Sequence, residues 1–353
     1  MKVGIFNPYL DTLGGGERYM MAIAQVLGEK GNQVDVFWHQ PETKQKLQQR
    51  FGFDLKNVQI KEYNFFVNRS LLKKWQISRQ YDLFFFLSDG SIPFLFAKKN
   101  FLVFCVPFTH KNGQSLLNRI KMRNLSVISI SNFTKKFIDE EYGIDSKVVY
   151  PPVSVDDFQA GEKQNIILSV SRFSQTLHAK KQAILIEAFA DLCRQGLRGW
   201  RLILVGGLRP NDRQYLNTLK DGAGDFPVEF RANITYEQLK KIYSRTKIFW
   251  HATGFGENEN VHPERMEHFG IVVVEAMAAG CVPVVIGKGG IPEIISDGKD
   301  GFLWQEIKDL KKLTLQLIKS PKLMTEISKQ AIIDCQKFNE KNFCKKIYEL
   351  VEH

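Results

Sequence analysis

Two glutamates, Glu267 and Glu275, stand eight positions apart on either side of a glycine, Gly270. The segment after Gly270 is apolar, contains no proline and ends at Gly280, so it predicts a buried helix that begins near Gly270. A helix N-terminus offers free N–H groups and a positive dipole end, and a glycine without Cβ lets a diphosphate approach the backbone closely. Both carboxylates could face one ligand, since about two helical turns separate them.

Glu275 is the only charged residue between Ile271 and Gly280. A carboxylate in such an apolar setting needs partners, because burying it alone is costly. Vicinal hydroxyls of a sugar are suitable partners, since each can donate a hydrogen bond. The alternative is a core helix with one glutamate that the protein itself satisfies, and this segment alone leaves both interpretations open.

The length and composition predict a two-domain globular protein. The chain has 353 residues, of which 44% are hydrophobic and 25% charged. No apolar run reaches the roughly 20 residues of a membrane-spanning helix, and residues 1–6 lead into a strand without a secretory pattern. The five cysteines have neither metal nor disulfide spacing. These features favour a cytoplasmic protein.

The net charge of +11 favours an anionic partner, although most of these lysines are expected to be solvated surface. No nucleic-acid-binding motif is present, so phosphorylated ligands or an acidic membrane face are preferred. Two apolar and basic segments, residues 70–75 and 111–123, could rest on an anionic bilayer at the inner face of the membrane. The alternative is that each is an amphipathic helix packed on its own domain.

The chain repeats one pattern of strands and helices twice, which predicts two α/β domains. Apolar runs of strand length alternate with helical spacing before Pro151 and Pro152, and the alternation restarts at residue 165. The two prolines and the polar residues after them indicate a linker. Residues 40–79 have an irregular, basic pattern, whereas residues 323–351 have helical spacing.

Several side chains are placed where open α/β sheets bind ligands, at the carboxyl ends of strands or the starts of helices. His110 and Arg172 each follow a predicted strand, and Lys180 and Lys181 precede a predicted helix. An arginine and a lysine that converge on a helix N-terminus could neutralise a diphosphate. For His110, a structural or solvated role is the alternative.

The loop at residues 252–266 contains acidic residues and a histidine, which raises the question of a metal site. Their spacing matches no compact ligand set, so a polar loop is favoured. The residues concerned are Glu257, Glu259, His262 and Glu264.

The segment from Glu267 to Glu275 resembles the EX7E motif of retaining nucleotide-sugar glycosyltransferases of the GT-B fold, family 4 (group 1). The turn at Gly14–Glu17 resembles the GG(A/G)E turn of the same family, and residues 287–293 resemble its GG-x-PE segment. Residues 178–182 and 266–270 look most like the cytosolic mannosyltransferases that extend lipid-linked sugars, and their bacterial relatives.

The resemblance implies an α/β protein with two Rossmann-like doubly wound parallel-sheet domains that face a cleft. Residues 1–155 would bind the acceptor and residues 156–353 the nucleotide sugar, with the last helix, about 323–353, crossing back to the first domain. The reaction implied is retaining transfer of a sugar, with mannose as a candidate, to a glycan or lipid-linked acceptor. The alternatives are a nucleotide-sugar epimerase or hydrolase, or a non-catalytic member that binds a nucleotide or a membrane.

The resemblance also assigns site residues, one by one, from the matching motif positions. Lys181 is the alternative to Lys180 as the phosphate ligand, because residues 175–179 form an insert. No Asp-x-Asp motif is present, so neither a metal nor a cofactor is expected. The implied catalytic residues are Glu267, His110, Arg172 and Lys180, and the implied donor contacts are Gly15, Gly16, Asn233, Ile234, Phe269, Gly270, Ile271 and Glu275. Gly206 is a further candidate donor contact, because the glycine turn after its predicted strand leaves room for a ligand.

Overall fold

The computed structural model describes residues 1–12, 14–61, 70–174 and 180–352, without the side chain of Arg50. The chain divides into two compact units. The first comprises Met1–Pro152 and Lys341–His353, and the second comprises Val153–Glu340. The insert at residues 175–179 and residues 62–69 lie outside the described residues.

Within its described residues, the first unit has one parallel sheet with the strand order β3-β2-β1-β4-β5-β6-β7. Its central strands are mostly apolar and are buried except at Lys2 and Lys99, which begin two of them, as expected for a parallel sheet covered on both faces. The strands are β1 Lys2–Phe6, β2 Gln33–Phe37, β3 Val58–Lys61, β4 Leu83–Leu87, β5 Lys99–Phe104, β6 Ser126–Ser129 and β7 Lys147–Val148. The helices are α1 Gly15–Glu29, α2 Thr43–Phe51, α3 Leu71–Ser78, α4 Leu116–Met122 and α5 Asn132–Tyr142.

The second unit, over its described residues, has a parallel sheet in the order β10-β9-β8-β11-β12-β13. Its strands are β8 Gln164–Val170, β9 Arg201–Gly206, β10 Val228–Ala232, β11 Thr246–His251, β12 Val282–Ile286 and β13 Phe302–Trp304. Its helices are α6 Gln182–Arg194, α7 Arg213–Ala223, α8 Tyr236–Arg245, α9 Ile271–Ala278, α10 Ile307–Lys319 and α11 Pro321–Asp334. The last helix, α12 Glu340–Glu352, belongs to the first unit from Lys341 onward.

Both sheets are doubly wound, because the chain starts in the middle of each sheet, builds one side and then the other. The order reverses between β1 and β4 in the first unit and between β8 and β11 in the second. The prediction of two Rossmann-like parallel sheets is therefore confirmed. In such sheets ligands bind beyond the carboxyl ends of the strands at the reversal, so the residues after β8 and β11 form the expected site.

The stretch from residue 40 to residue 79, irregular and basic in its sequence pattern, contains α2, β3 and α3 among its described residues. Its apolar residues are sparse, but Leu47 and Val58 are both buried and anchor α2 and β3. The prediction of a single helix over about residues 323–353 is wrong, because α11 ends at Asp334 and α12 begins at Glu340. The chain leaves the helical path after Asp334 so that Phe338 is buried edge-on against Phe269, with ring centroids 5.1 Å apart.

Candidate active site

The helix predicted after Gly270 is α9, and Gly270 is the residue before its first turn. Gly270 has φ 113°, a conformation that a side chain strongly disfavours. A Cβ at this position would also lie 2.8 Å from Cδ1 of Ile291. Only glycine therefore fits here without strain, and it places the N–H groups of Ile271 and the residues after it at the carboxyl edge of the sheet.

Glu267 forms the centre of a charged cluster beside this helix start. Its Oε2 lies 2.8 Å from Nζ of Lys180 and 3.1 Å from Nε2 of His251. Burial disfavours the ionised carboxylate, but Lys180 and His251 outweigh it and hold the pKa of Glu267 well below its usual range. A Cβ at Gly270 would lie 3.6 Å from Cγ of Glu267, so Lys180 and the helix start converge on one place.

Lys181 is directed to a different partner from Lys180. It has φ 57° at the residue before α6, and its Nζ lies 2.8 Å from Oε1 of Glu257. Arg265 contacts the other oxygen of Glu257 at 3.0 Å, and Lys288 donates to the Glu257 carbonyl oxygen. Glu257 thus holds the loop at residues 252–266 in place. Of the two candidate lysines, Lys180 is the one that contacts Glu267.

The other acidic residues of that loop are also engaged. Gly289 N donates to Glu259, and His262 Nδ1 lies 3.3 Å from Glu264 Oε1. Across residues 1–12, 14–61, 70–174 and 180–352, no group of three or more His, Cys, Asp or Glu is placed to hold a metal ion. That the protein works without a metal stays a prediction.

Arg172 stands at the exit of β8, next to the end of β9. A Cβ on Gly206 would lie 1.8 Å from the Ser171 carbonyl oxygen, so the two strand ends touch and glycine is required there. Gln182 at the start of α6 donates to the Arg172 carbonyl oxygen at 2.8 Å and thereby links this corner to Lys180. The Arg172 side chain is exposed and forms no ion pair with a described residue.

Asn233 belongs to the same corner, whereas the side chain of Ile234 faces elsewhere. Asn233 has φ 54°, and its N–H donates to the Gly206 carbonyl oxygen at 3.0 Å. Its side chain bonds both the N–H and the carbonyl of Leu208. Ile234 lines a concavity of about 390 Å³ between β9, β10 and α8. Base binding through the backbone of these two residues stays a prediction.

Glu275 is buried inside α9, with 4% of its surface exposed. Its Oε2 accepts a hydrogen bond from the hydroxyl of Tyr243 at 3.2 Å. Burial, and then the charge of Glu275, raise the pKa of Tyr243, so the phenol stays a donor. Glu275 is thus not turned out to solvent, and its predicted contact with ribose hydroxyls remains untested. Phe269 packs on Phe338, so its predicted role is confined to the backbone.

The predicted residues of the first unit lie at the carboxyl edge of that unit's own sheet. Gly15 and Gly16 form the first turn of α1, and a Cβ on Gly16 would lie 3.9 Å from Cys105, just past β5. Glu17 closes the turn by accepting from Gly14 N at 2.7 Å. His110 is exposed, has φ 59°, and is held by a bond from its N–H to Glu141.

Several residues of the second unit's site were not predicted from the sequence, namely His251, Thr253, Gln182 and Tyr243. The position of His251 at the end of β11 was a usable signal, because the same rule had selected His110. Tyr243 and Gln182 carry no such signal, since their contacts come from other segments of the chain.

Comparisons with known proteins agree with this architecture. The family described as glycosyl transferases group 1 matches residues 154–334. A Dictyostelium discoideum GDP-Man:Man(3)GlcNAc(2)-PP-Dol alpha-1,2-mannosyltransferase is 28% identical over 238 residues, which are 63% of this chain and 45% of the relative. The chain thus spans less than half the length of this curated relative.

Solved structures of glycosyltransferases share the fold over nearly the whole chain. A glycosyltransferase from Rickettsia africae has a TM-score of 0.79 and 17% identity, covering 99% of this chain and 97% of that one. Anabaena Alr3699/HepE in complex with UDP and glucose has a TM-score of 0.76 and 20% identity, covering 100% and 99%. The fold is therefore that of the GT-B glycosyltransferases.

The family match covers the second unit from the linker to the end of α11, which is more than half of the chain, and includes the cluster around Glu267. The chain belongs to the group 1 glycosyl transferases.

Proposed function

We propose that the protein is a retaining glycosyltransferase that moves mannose from GDP-mannose to a lipid-linked glycan acceptor. The observation that carries the proposal is the convergence of Lys180, Glu267 and the start of α9 at the carboxyl edge of the second sheet. The choice of mannose and of a lipid-linked acceptor rests on the activity for which the Dictyostelium relative is named.

In the proposed reaction the bond between the sugar C1 and the oxygen of the β-phosphate breaks, and negative charge grows on the diphosphate. Arg172, Lys180 and the N–H groups at the start of α9 stabilise this charge, which is electrostatic catalysis. The acceptor hydroxyl forms the new bond to C1 on the same face, and its proton passes to the leaving phosphate. The protein then supplies no general base, and the reaction proceeds without a metal.

The remaining site residues bind and orient the substrates in this proposal. Glu267 accepts hydrogen bonds from the sugar hydroxyls, and Glu275 accepts them from the ribose. Gly206, Asn233 and Ile234 contact the nucleotide through their backbones. In the first unit, His110, Gly15 and Gly16 serve the acceptor and the sugar end of the donor.

We also propose peripheral contact with an anionic membrane, at the cytoplasmic face. Within the described residues, no helix is both long and apolar enough to cross a bilayer. Instead, α3 and α4 of the first unit each expose large apolar side chains next to lysines and arginines. These side chains are Leu71, Leu72, Trp75, Leu116, Leu117 and Ile120.

The two segments also lie close together. Partial burial, and then repulsion from the ammonium of Lys74 on α3, lower the pKa of Lys121 on α4. One ammonium of α3 and one of α4 thus lie near each other, and on this ground we propose one membrane-facing patch that includes both helices.

The donor is identified first by thermal unfolding in the presence of GDP-mannose, UDP-glucose or an ADP-sugar. A ligand that binds only the folded state stabilises it by RT ln(1 + [L]/Kd), so the true donor raises the melting temperature most. Transfer is then measured with GDP-mannose and a polyprenyl-linked oligosaccharide, and the anomeric configuration of the product is read by NMR. Release of sugar at the same rate without any acceptor, or an inverted anomer, would contradict the proposal.

A further inference from the structure

His251 is a buried histidine that contacts the charged cluster and was not part of the predicted site. It is the last residue of β11, and only 3% of its surface is exposed. Its Nε2 lies 3.1 Å from Oε2 of Glu267 and 3.1 Å from Oγ1 of Thr253. A second donor, the ammonium of Lys180, contacts the same carboxylate oxygen at 2.8 Å.

The chemistry of the pair fixes the direction of this hydrogen bond. An ionised carboxylate can only accept, so Nε2 must carry the hydrogen that points to Glu267. Nδ1 of His251 is buried and has no hydrogen-bond partner among the described residues. An imidazole with its hydrogen on Nε2 leaves only one unpaired acceptor, Nδ1. The opposite tautomer would bury an N–H at Nδ1 without an acceptor, and it would place two acceptors, Nε2 and the Glu267 carboxylate, against each other.

Both donors act on one oxygen of the carboxylate, which leaves the other oxygen to a ligand. Oε2 accepts from Lys180 and His251, whereas Oε1 accepts from no described residue. Because the two oxygens of a carboxylate are coplanar with its carbon, fixing Oε2 from two directions also fixes the orientation of Oε1.

We propose that His251 is a positioning residue for Glu267, which together with Lys180 fixes Oε2 so that Oε1 accepts a hydrogen bond from a hydroxyl of the donor sugar. The inference rests on the proposed function, since the hydroxyl is that of the bound nucleotide sugar. It also defines what Glu267 does chemically. A carboxylate that two donors keep ionised binds hydroxyls as an acceptor and does not act as a general acid.

The test compares two substitutions of His251 with opposite expectations. His251→Gln keeps an N–H donor at a similar distance, whereas His251→Leu removes it. In the leucine variant we expect the KM for the donor to rise and kcat/KM to fall by about tenfold or more, with partial recovery in the glutamine variant. If the leucine variant does not fold, His251→Asn, whose shorter amide cannot reach Glu267, replaces it.

The pH profile separates positioning from simple loss of stability. Lys180 and His251 are the charged or titratable groups in contact with Glu267, and loss of one donor raises the carboxylate's pKa. The acid limb of kcat/KM therefore moves to higher pH in the leucine variant. Thr246→Val is the control: it removes a buried hydroxyl bonded to Ile242 at the other end of β11, so it lowers stability without moving this limb.

A measurement without turnover separates this inference from the proposed function. The titration of Glu267 is followed by carbon-13 NMR of glutamate-labelled protein, with Glu267→Gln used for assignment. We expect its midpoint to rise in the leucine variant and to stay near the wild-type value in the glutamine variant. An unchanged midpoint in the leucine variant overturns the role of His251, even if sugar transfer is observed. A shifted midpoint together with no transfer supports the contact and rejects the proposed function.

Discussion

Arg172 stands at the carboxyl end of β8 with an exposed guanidinium that forms no ion pair with the described residues. Lys180, by contrast, is engaged with Glu267, so its charge is partly neutralised before any ligand binds. Of these two predicted phosphate ligands, Arg172 therefore has more charge to offer to a diphosphate. Its bidentate geometry also suits phosphate oxygens better than an ammonium does.

We expect Arg172→Ala to lower kcat by more than about tenfold, which corresponds to about 1.4 kcal/mol of transition-state stabilisation. The reason is that the leaving diphosphate gains charge in the transition state. The measurement is steady-state kinetics with GDP-mannose and acceptor. Arg194→Ala serves as the control, because Arg194 is exposed on α6 and pairs with Asp191 one turn away. Equal rates for both variants would remove Arg172 from the proposed mechanism.

The sequence identifies candidate residues at the ends of strands and the starts of helices. It does not reveal the contacts that decide which of these candidates lie at the site. Lys180 and Lys181 are equivalent in the sequence, and the left-handed φ of 57° at Lys181 is what directs their side chains to different glutamates. His251 was missed because its partner, Glu267, follows 16 residues later, after a loop whose path no local pattern specifies.

Helix α9 is the element on which the site depends, and its start is sterically constrained. We expect Gly270→Ala to destabilise the protein by about 1–3 kcal/mol, because alanine is strained at φ 113° and its Cβ would press on Ile291. Urea unfolding measures the loss, and donor affinity should fall as the helix start shifts.

The matched control for this prediction is Gly222→Ala in α7. Gly222 is helical, and a Cβ there would have nothing within 4 Å, so this substitution should stabilise the protein by roughly 0.5–1 kcal/mol. If both alanine variants had the same stability, the steric argument for Gly270 would be wrong.

The turn before β13 carries a carboxylate that opposes folding at neutral pH. Burial raises the pKa of Asp300 to about 6. The hydrogen bond from Ser296 N lowers this pKa, but burial outweighs it, and the nearby Asp334 raises the pKa further. Between about pH 4 and pH 6 the folded state holds this proton more tightly than the unfolded state, so stability falls as the pH rises through this window. We expect Asp300→Asn to remove that dependence.

The measurement is urea unfolding of the wild-type protein and Asp300→Asn at about pH 4.5 and about pH 7.5. The variant should be the more stable of the two at the higher pH, by about 1–2 kcal/mol, and its advantage should shrink at the lower pH. Asp297→Asn, in the same turn, is the control for changes of the loop itself. A variant that is less stable than the wild-type protein at both pH values would contradict this account.

The central strands have clear sequence signals, whereas the edge strands β3 and β13 do not. The apolar runs of β4, β5, β8 and β12 reflect burial on both faces of a parallel sheet. β3 and β13 are edge strands of four and three residues and are only partly buried, so their signal is weak. The break between α11 and α12 depends on the burial of Phe338 against Phe269, which is a tertiary contact.

At the scale of the whole molecule, the two halves of the chain repeat one topology but differ in their exposed surfaces. Each half is a doubly wound parallel sheet. Apolar side chains cluster with basic ones on α3 and α4 of the first unit, whereas the second unit exposes large apolar side chains singly, at Tyr236, Val261 and Ile333. For each of these two segments the sequence leaves both membrane contact and packing on its own domain open, and it does not predict that Lys74 and Lys121 lie near each other.

If this patch docks on a bilayer, single charges placed in it should release the protein from vesicles. We expect Leu72→Glu and Leu117→Glu each to lower binding to vesicles with anionic phospholipid severalfold, because each buries a charge at an apolar contact and repels the surface. Co-sedimentation measures the bound fraction. Ile333→Glu is the matched control, because Ile333 is 63% exposed, close to the 65% of Leu72, but lies in the second unit.

Varying the salt concentration and the charge of the lipid tests the same prediction independently. The chain carries a net charge of +11, so binding should weaken with added salt and on vesicles of neutral phospholipid, where each lysine or arginine loses about 1 kcal/mol of attraction. Binding that ignores both salt and lipid charge would indicate apolar adsorption alone. Equal loss in Ile333→Glu and Leu72→Glu would instead show that overall charge, and not the α3–α4 surface, governs the interaction.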